Sequence, residues 1–93
     1  MNRIHRTDSN KLEIINDLKE HGASVLNLNN GDIPGCPDVC IGFFGRNILL
    51  EIKSGNAKQR DTQVTFMSSW KGQYVVVRSK AEARKACGII YAD

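Results

Sequence analysis

The stretch Asp38-Val39-Cys40-Ile41-Gly42-Phe43-Phe44-Gly45-Arg46-Asn47-Ile48-Leu49-Leu50-Glu51-Ile52-Lys53 decides the reading of this chain. Two apolar, β-branched runs flank Gly45-Arg46, and a glycine in first place suits a two-residue type II′ turn. Strands are expected over residues 38–44 and 47–53. Side chains alternate along a strand, so Ile48, Leu50 and Ile52 share one face and Leu49, Glu51 and Lys53 the other. A strand apolar on both faces is a central, buried one. Here it also carries a carboxylate and an ammonium group, whose burial costs several kcal/mol per ion unless each is paired.

The expected register supplies the pairing. With Gly45 and Arg46 in the turn, Phe44 faces Asn47, Cys40 faces Glu51 and Asp38 faces Lys53. Asp38, Glu51 and Lys53 then project from one face, with Asp38 and Glu51 on a diagonal roughly 7–8 Å apart at Cα. A turn of three residues would reverse the parity and scatter them. Two carboxylates at that spacing can grip one cation through hard oxygen ligands and leave positions for water, which suits Mg²⁺. Such a cation polarises a phosphoryl oxygen and lowers the pKa of bound water, so phosphodiester hydrolysis is the expected reaction. Lys53 would orient the water or neutralise the phosphate. An inert ion pair of Lys53 with Glu51 or Asp38 is the plainer alternative.

Outward from this hairpin, the pattern over residues 9–21 is helical. Leu12, Ile15 and Leu18, with Ile14 beside them, form the expected inward stripe, Asp8 or Ser9 the cap, and Gly22 the stop. Glu13, Asp17 and Glu20 are expected in solvent. Residues 23–28 read as a first strand, and Asn29 to Pro37 as turns. Residues 54–60 form a basic loop. A second helix, capped by Asp61 or Thr62, runs to about Trp70. Its face of Gln63, Phe66, Met67 and Trp70 turns inward, so Trp70 is expected in the core. Residues 73–78 form a strand, Ser79 caps a helix over 80–86, and Ile89-Ile90-Tyr91 can add a last short strand. The expected fold is α/β with a mixed sheet, in the order α-β-β-β-α-β-α.

Composition bounds the rest. The chain has 93 residues, 41% apolar and 25% charged, which suits one folded domain over 1–93 with residues 1–7 as a flexible arm. No apolar run approaches the roughly 20 residues of a membrane span, and no secretory signal follows the basic start, so a cytoplasmic protein without membrane contact is expected. Thirteen Lys and Arg against ten Asp and Glu give +3, which permits a polyanionic partner without requiring one. The three cysteines, Cys36, Cys40 and Cys87, make an odd count that argues against a disulfide framework. They lack the partners a zinc site needs, so no zinc is expected.

The order Pro37-Asp38, hairpin, Glu51-Ile52-Lys53 resembles the PD-(D/E)XK nuclease signature. Gly35, the Gly22-Ala23-Ser24-Val25 segment, Gln63, and Gly72 ahead of Val75-Val76-Val77 sharpen the likeness to the virus-type replication-repair nuclease (VRR-NUC) group, in its stand-alone phage-like form. The resemblance spans about residues 8–86. Where that group often has Leu-Thr-Pro, this chain has Arg60-Asp61-Thr62. The resemblance implies a restriction-endonuclease-like fold and a Mg²⁺-dependent DNA endonuclease in which Mn²⁺ can substitute. It implies Asp38, Glu51 and the Ile52 carbonyl as metal ligands, Lys53 as the catalytic lysine, and Gln63 in the site. The group also tends to carry an acidic residue on the first helix. Asp8 lies on the expected inward stripe and is preferred to Glu13, which lies opposite it; an N-cap role for Asp8 stays open.

Lys58, Arg60 and Arg46, with Arg3 and Arg6 on the arm, would then contact DNA phosphates, which positions DNA without reading its sequence. Aromatics make up only 6%, too few for a stacking platform. The implied substrate is branched DNA such as a four-way junction, and the implied assembly is a homodimer. The alternatives are a non-catalytic nucleic-acid-binding module that keeps a relic motif and a structural or protein-interaction domain.

Overall fold

The computed structural model describes residues 6–28 and 32–89, the side chains of 6–9 excepted. The elements are α1 (Arg6–Glu20), β1 (Ser24–Asn27), β2 (Val39–Phe43), β3 (Arg46–Ile52), α2 (Asp61–Ser69), β4 (Tyr74–Val77) and α3 (Lys80–Cys87). This is the expected α/β class and element order. The sheet runs β1-β2-β3-β4; β1/β2 and β2/β3 are antiparallel and β3/β4 parallel, a pairing that needs the crossover connection α2 provides. Residues 1–5, part of the expected arm, lie outside the described residues, as do Ile90 and Tyr91 of the possible last strand. The helix itself begins at Arg6, within the stretch expected as arm.

The hairpin turn is Phe44-Gly45, not Gly45-Arg46. The strands pair Phe43 with Arg46, Cys40 with Leu49 and Val39 with Leu50. Both turn residues have positive φ, 50° at Phe44 and 78° at Gly45, so the turn belongs to type I′, which needs the left-handed region at both positions. The register is therefore shifted by two residues from the expected one. A shift of two preserves parity, so every side chain keeps its expected face. Continued one step beyond Val39/Leu50, it sets Asp38 opposite Glu51 and not Lys53.

Ile48, Leu50 and Ile52 of β3 lie on the core side with Val39, Ile41 and Phe43 of β2 and Val77 of β4. Ile14 and Leu18 of α1 and Ala83 and Cys87 of α3 close that core. Of the expected α1 stripe, Leu18 and Ile14 are in the core and Ile15 packs against it, but Leu12 is not part of it. Leu12 is 59% exposed, while Ile14 and Leu18 are fully buried. At about 100° per residue, Leu12 and Ile14 stand roughly 200° apart, so one helix cannot bury both.

Asp17, expected in solvent, is only 8% exposed. It accepts from Arg84 Nε at 2.8 Å and Nη2 at 2.7 Å, a bidentate pair that ties α1 to α3. The Arg84 hydrogen bonds and charge hold its carboxyl below the usual range against the opposing effect of burial. A lowered carboxylate pKa stabilises the fold above the unfolded value of 3.8, and that stability is lost as pH falls through the folded value. Asp17→Asn should cost about 2–3 kcal/mol at neutral pH, because it removes the charge and one acceptor oxygen from the nearly buried bidentate pair with Arg84. Urea unfolding at pH 7 and at pH 3 checks this: the gap between wild type and variant should shrink at the lower pH.

The second sheet face carries α2. Its helix starts after Arg60, not after Asp61 or Thr62, and the expected inward Trp70 is 46% exposed just past its end. Trp70 stacks on Phe66 with ring centres 5.5 Å apart, and Phe66 meets Tyr74 at 5.9 Å. A helix of nine residues reaches the sheet with its first turn and leaves its last turn in solvent. At the other end of the fold α3 keeps its expected punctuation. Ser79 Oγ accepts from Glu82 N–H at 3.1 Å, and Gly88 takes the left-handed conformation at φ 82°.

Candidate metal centre

The C-terminal end of β3 forms the floor of a cleft of about 320 Å³. Asp38, Glu51, Ile52, Lys53, Ser54, Arg60 and Gln63 line it. The Ile52 side chain belongs to the core on the opposite face, so its main chain is what reaches the cleft.

Asp38 sits where β2 begins. Leu49 N–H donates to the Gln73 carbonyl just ahead of β4 and Lys53 N–H to the Val77 carbonyl, so by the alternation of a strand Ile52 N–H turns the other way, toward β2. Ile52 N–H points past the start of that strand and finds the Asp38 carboxylate, donating to Oδ2 at 2.7 Å. A backbone donor thereby fixes the rotamer of Asp38. Its other oxygen, Oδ1, lies 3.4 Å from Lys11 Nζ of α1. Beside it, Asn10 Nδ2 donates to the Lys53 carbonyl at 3.4 Å, which ties the start of α1 to the end of β3.

Glu51 is only 3% exposed. Its Oε2 accepts from Gln63 Nε2 at 2.6 Å and lies 3.4 Å from Lys53 Nζ. Its Oε1 is buried and, among the described residues, has no hydrogen-bond partner. Burial and then the Asp38 charge push its carboxyl up, against the opposing pull of Lys53 and Gln63. The same two carboxylates reach further. Burial first, then Glu51 and Asp38, push Tyr74 up to about 12 and raise the Cys36 thiol.

Gln63 is held at both ends. Arg60 has no side-chain acceptor to offer α2, but Gln63 Oε1 accepts from Arg60 N–H at 2.9 Å, the returning half of a capping box. That bond orients the amide so that Nε2 must face Glu51. The first turn of α2 reaches this position because Gly35 lies flat against it.

The expected residues Asp38, Glu51, Lys53 and Gln63 are thus brought together, with Arg60 at the rim. Lys58 is exposed and lines a separate cleft beside β4. Arg46 does not belong here. It begins β3, about 16 Å along the strand from Glu51, and its guanidinium donates to the Cys87 carbonyl, capping the negative end of α3. The side chain of Asp8 lies outside the described residues, and Glu13 is exposed. Sequence reasoning missed Lys11 and Asn10. Counting back one turn from Ile14 would have found them, since positions three and four earlier share its face.

The donor set fits a hard divalent cation. It offers oxygen only, and the buried Oε1 of Glu51 lacks a partner among the described residues in a cleft it shares with Asp38. Ser54 Oγ, in the same cleft, is a second buried polar atom without a partner among the described residues. Among those residues no three His, Cys, Asp or Glu side chains gather into a metal-holding group; the described residues bring two carboxylates, Asp38 and Glu51, to the cleft. No helix among them is long and apolar enough to cross a membrane. Compared with family models, curated proteins and solved structures, the chain gives no match.

Proposed function

We propose that this chain is a Mg²⁺-dependent DNA endonuclease of the VRR-NUC kind within the PD-(D/E)XK nucleases, with a restriction-endonuclease-like fold. The observation that carries the reading is Glu51 Oε1, buried and, among the described residues, unpartnered in the cleft that also holds Asp38 and Lys53. A buried carboxylate oxygen left without a donor is costly unless something cationic arrives to share it.

Asp38, Glu51 and the Ile52 carbonyl would hold Mg²⁺ or Mn²⁺, which supplies charge neutralisation at the phosphoryl oxygen and a more acidic bound water. Gln63 holds Glu51 in one orientation. Lys53 Nζ, beside Glu51, stabilises negative charge building on the phosphate. Arg60 at the rim meets a flanking phosphate, and Lys58 a more distant one. The favoured substrate is branched DNA. A homodimer would present two clefts with the two-fold symmetry of a four-way junction.

The test incubates the purified chain with labelled duplex, nicked, flap and four-way DNA, in Mg²⁺, Mn²⁺ or EDTA. The expected result is cutting with either metal, none in EDTA, and fastest on the four-way DNA. Binding of these DNAs with no cutting in either metal would replace the enzyme by a non-catalytic nucleic-acid-binding module.

A further inference from the structure

We propose that Lys11 is a built-in counter-ion of Asp38 that a divalent cation must displace, so that it sets the metal concentration at which the site fills. The inference rests on the metal-site reading above and deepens it.

The two oxygens of Asp38 are used differently. Oδ2 is committed to Ile52 N–H at 2.7 Å, a bond of the backbone frame. Oδ1 faces Lys11 Nζ at 3.4 Å, a loose ion pair. A carboxylate gripping a cation jointly with Glu51 has Oδ1 to give, and Lys11 stands on it. The position of Lys11 is enforced. The helix that carries it is pinned to β3 by Asn10 and to α3 by Asp17 and Arg84. Its side chain is only 20% exposed, so its charge is incompletely screened.

The pair contributes little to stability, being long and partly wet. Its effect on an incoming cation is larger. Each carboxylate of the site carries one lysine, Lys11 on Asp38 and Lys53 on Glu51, at the same 3.4 Å. A divalent ion between the carboxylates meets two positive charges close by, and only Lys53 has an evident use in the chemistry. Lys11 can swing away on its flexible stem, but the swing forfeits its own attraction to Asp38, and that loss is subtracted from the affinity for metal. While no metal is present, Lys11 offsets the repulsion between Asp38 and Glu51.

Calorimetric titration of Mn²⁺ into the whole chain tests this on wild type, Lys11→Met and Lys11→Arg. Methionine keeps the apolar stem and removes the charge; arginine keeps the charge. Lys11→Met should bind Mn²⁺ about tenfold more tightly, and Lys11→Arg within about twofold of wild type. The rise in Tm on adding saturating Mn²⁺ should also be larger for Lys11→Met, from a lower metal-free starting point. Lys11→Gln serves as the neutral variant if Lys11→Met does not fold. A folded neutral variant that binds Mn²⁺ no more tightly than wild type overturns the role of Lys11 and leaves the metal site standing. Wild type that binds no Mn²⁺ overturns both.

Discussion

Asp38→Asn should lower metal-dependent DNA cleavage by about three orders of magnitude or more, with a Tm close to that of wild type. The amide oxygen can still accept from Ile52 N–H, so the link at the start of β2 survives. What is lost is the negative charge facing the cation. Lys53→Met should reduce cleavage by a similar factor for a different reason. Asp38 and Glu51 remain, so Mn²⁺ should still bind, while the ammonium group 3.4 Å from Glu51 Oε2 is gone. Single-turnover cleavage rates set beside Mn²⁺ calorimetry separate the two. Loss of both properties is expected for Asp38→Asn, and loss of rate alone for Lys53→Met. A Lys53→Met protein that cuts at the wild-type rate would show that the lysine is only an ion-pair partner of Glu51.

Gly35→Ala should destabilise the protein by about 3–5 kcal/mol, far more than its one added carbon suggests. Gly35 has φ 78°, where a side chain is strained, and a Cβ there would lie 2.0 Å from the Thr62 carbonyl oxygen and 2.5 Å from its carbon. Those atoms are backbone in the first turn of α2 and cannot turn aside as a flexible side chain would. The helix start must move, and Gln63, one residue on, must leave Glu51. Gly45→Ala is the control. It has the same φ of 78° with nothing within 4 Å of the added carbon, so about 1 kcal/mol is expected. Urea unfolding should rank the two variants in that order, and Mn²⁺ affinity should fall only in Gly35→Ala. If the two lose equal stability, the close approach of Gly35 to α2 is not what positions Gln63.

The grouping of Asp38, Glu51 and Lys53 was legible because it depends on parity and not on exact register. Placing the turn at Gly45-Arg46 in place of Phe44-Gly45 slides the strands by two residues, and Asp38, Glu51 and Lys53 stay on one face. The turn itself was misjudged because Phe44, a bulky residue, takes a positive φ that glycine normally supplies. Helix α1 was the harder case. Apolar residues stand at 12, 14, 15 and 18, more than one face can hold, and residue type alone does not say which of them meets the sheet. Choosing Leu12 turned Asp17 outward and hid Lys11, although Asp17 is buried because Arg84, far along the chain, supplies its counter-charge. Trp70 failed for a related reason: α2 ends at Ser69, before the periodicity can carry that ring onto the sheet. Arg46 looked like a phosphate contact because nothing local shows that the end of α3 arrives beside it.

Anomalous diffraction from a crystal soaked in Mn²⁺ shows whether the two carboxylates take up a cation. One strong peak is expected within coordination distance of Asp38 Oδ1 and Glu51 Oε1, with Lys11 Nζ withdrawn from Asp38. A crystal soaked at millimolar Mn²⁺ that shows no peak between those oxygens, with Lys11 still seated on Asp38, would contradict this expectation.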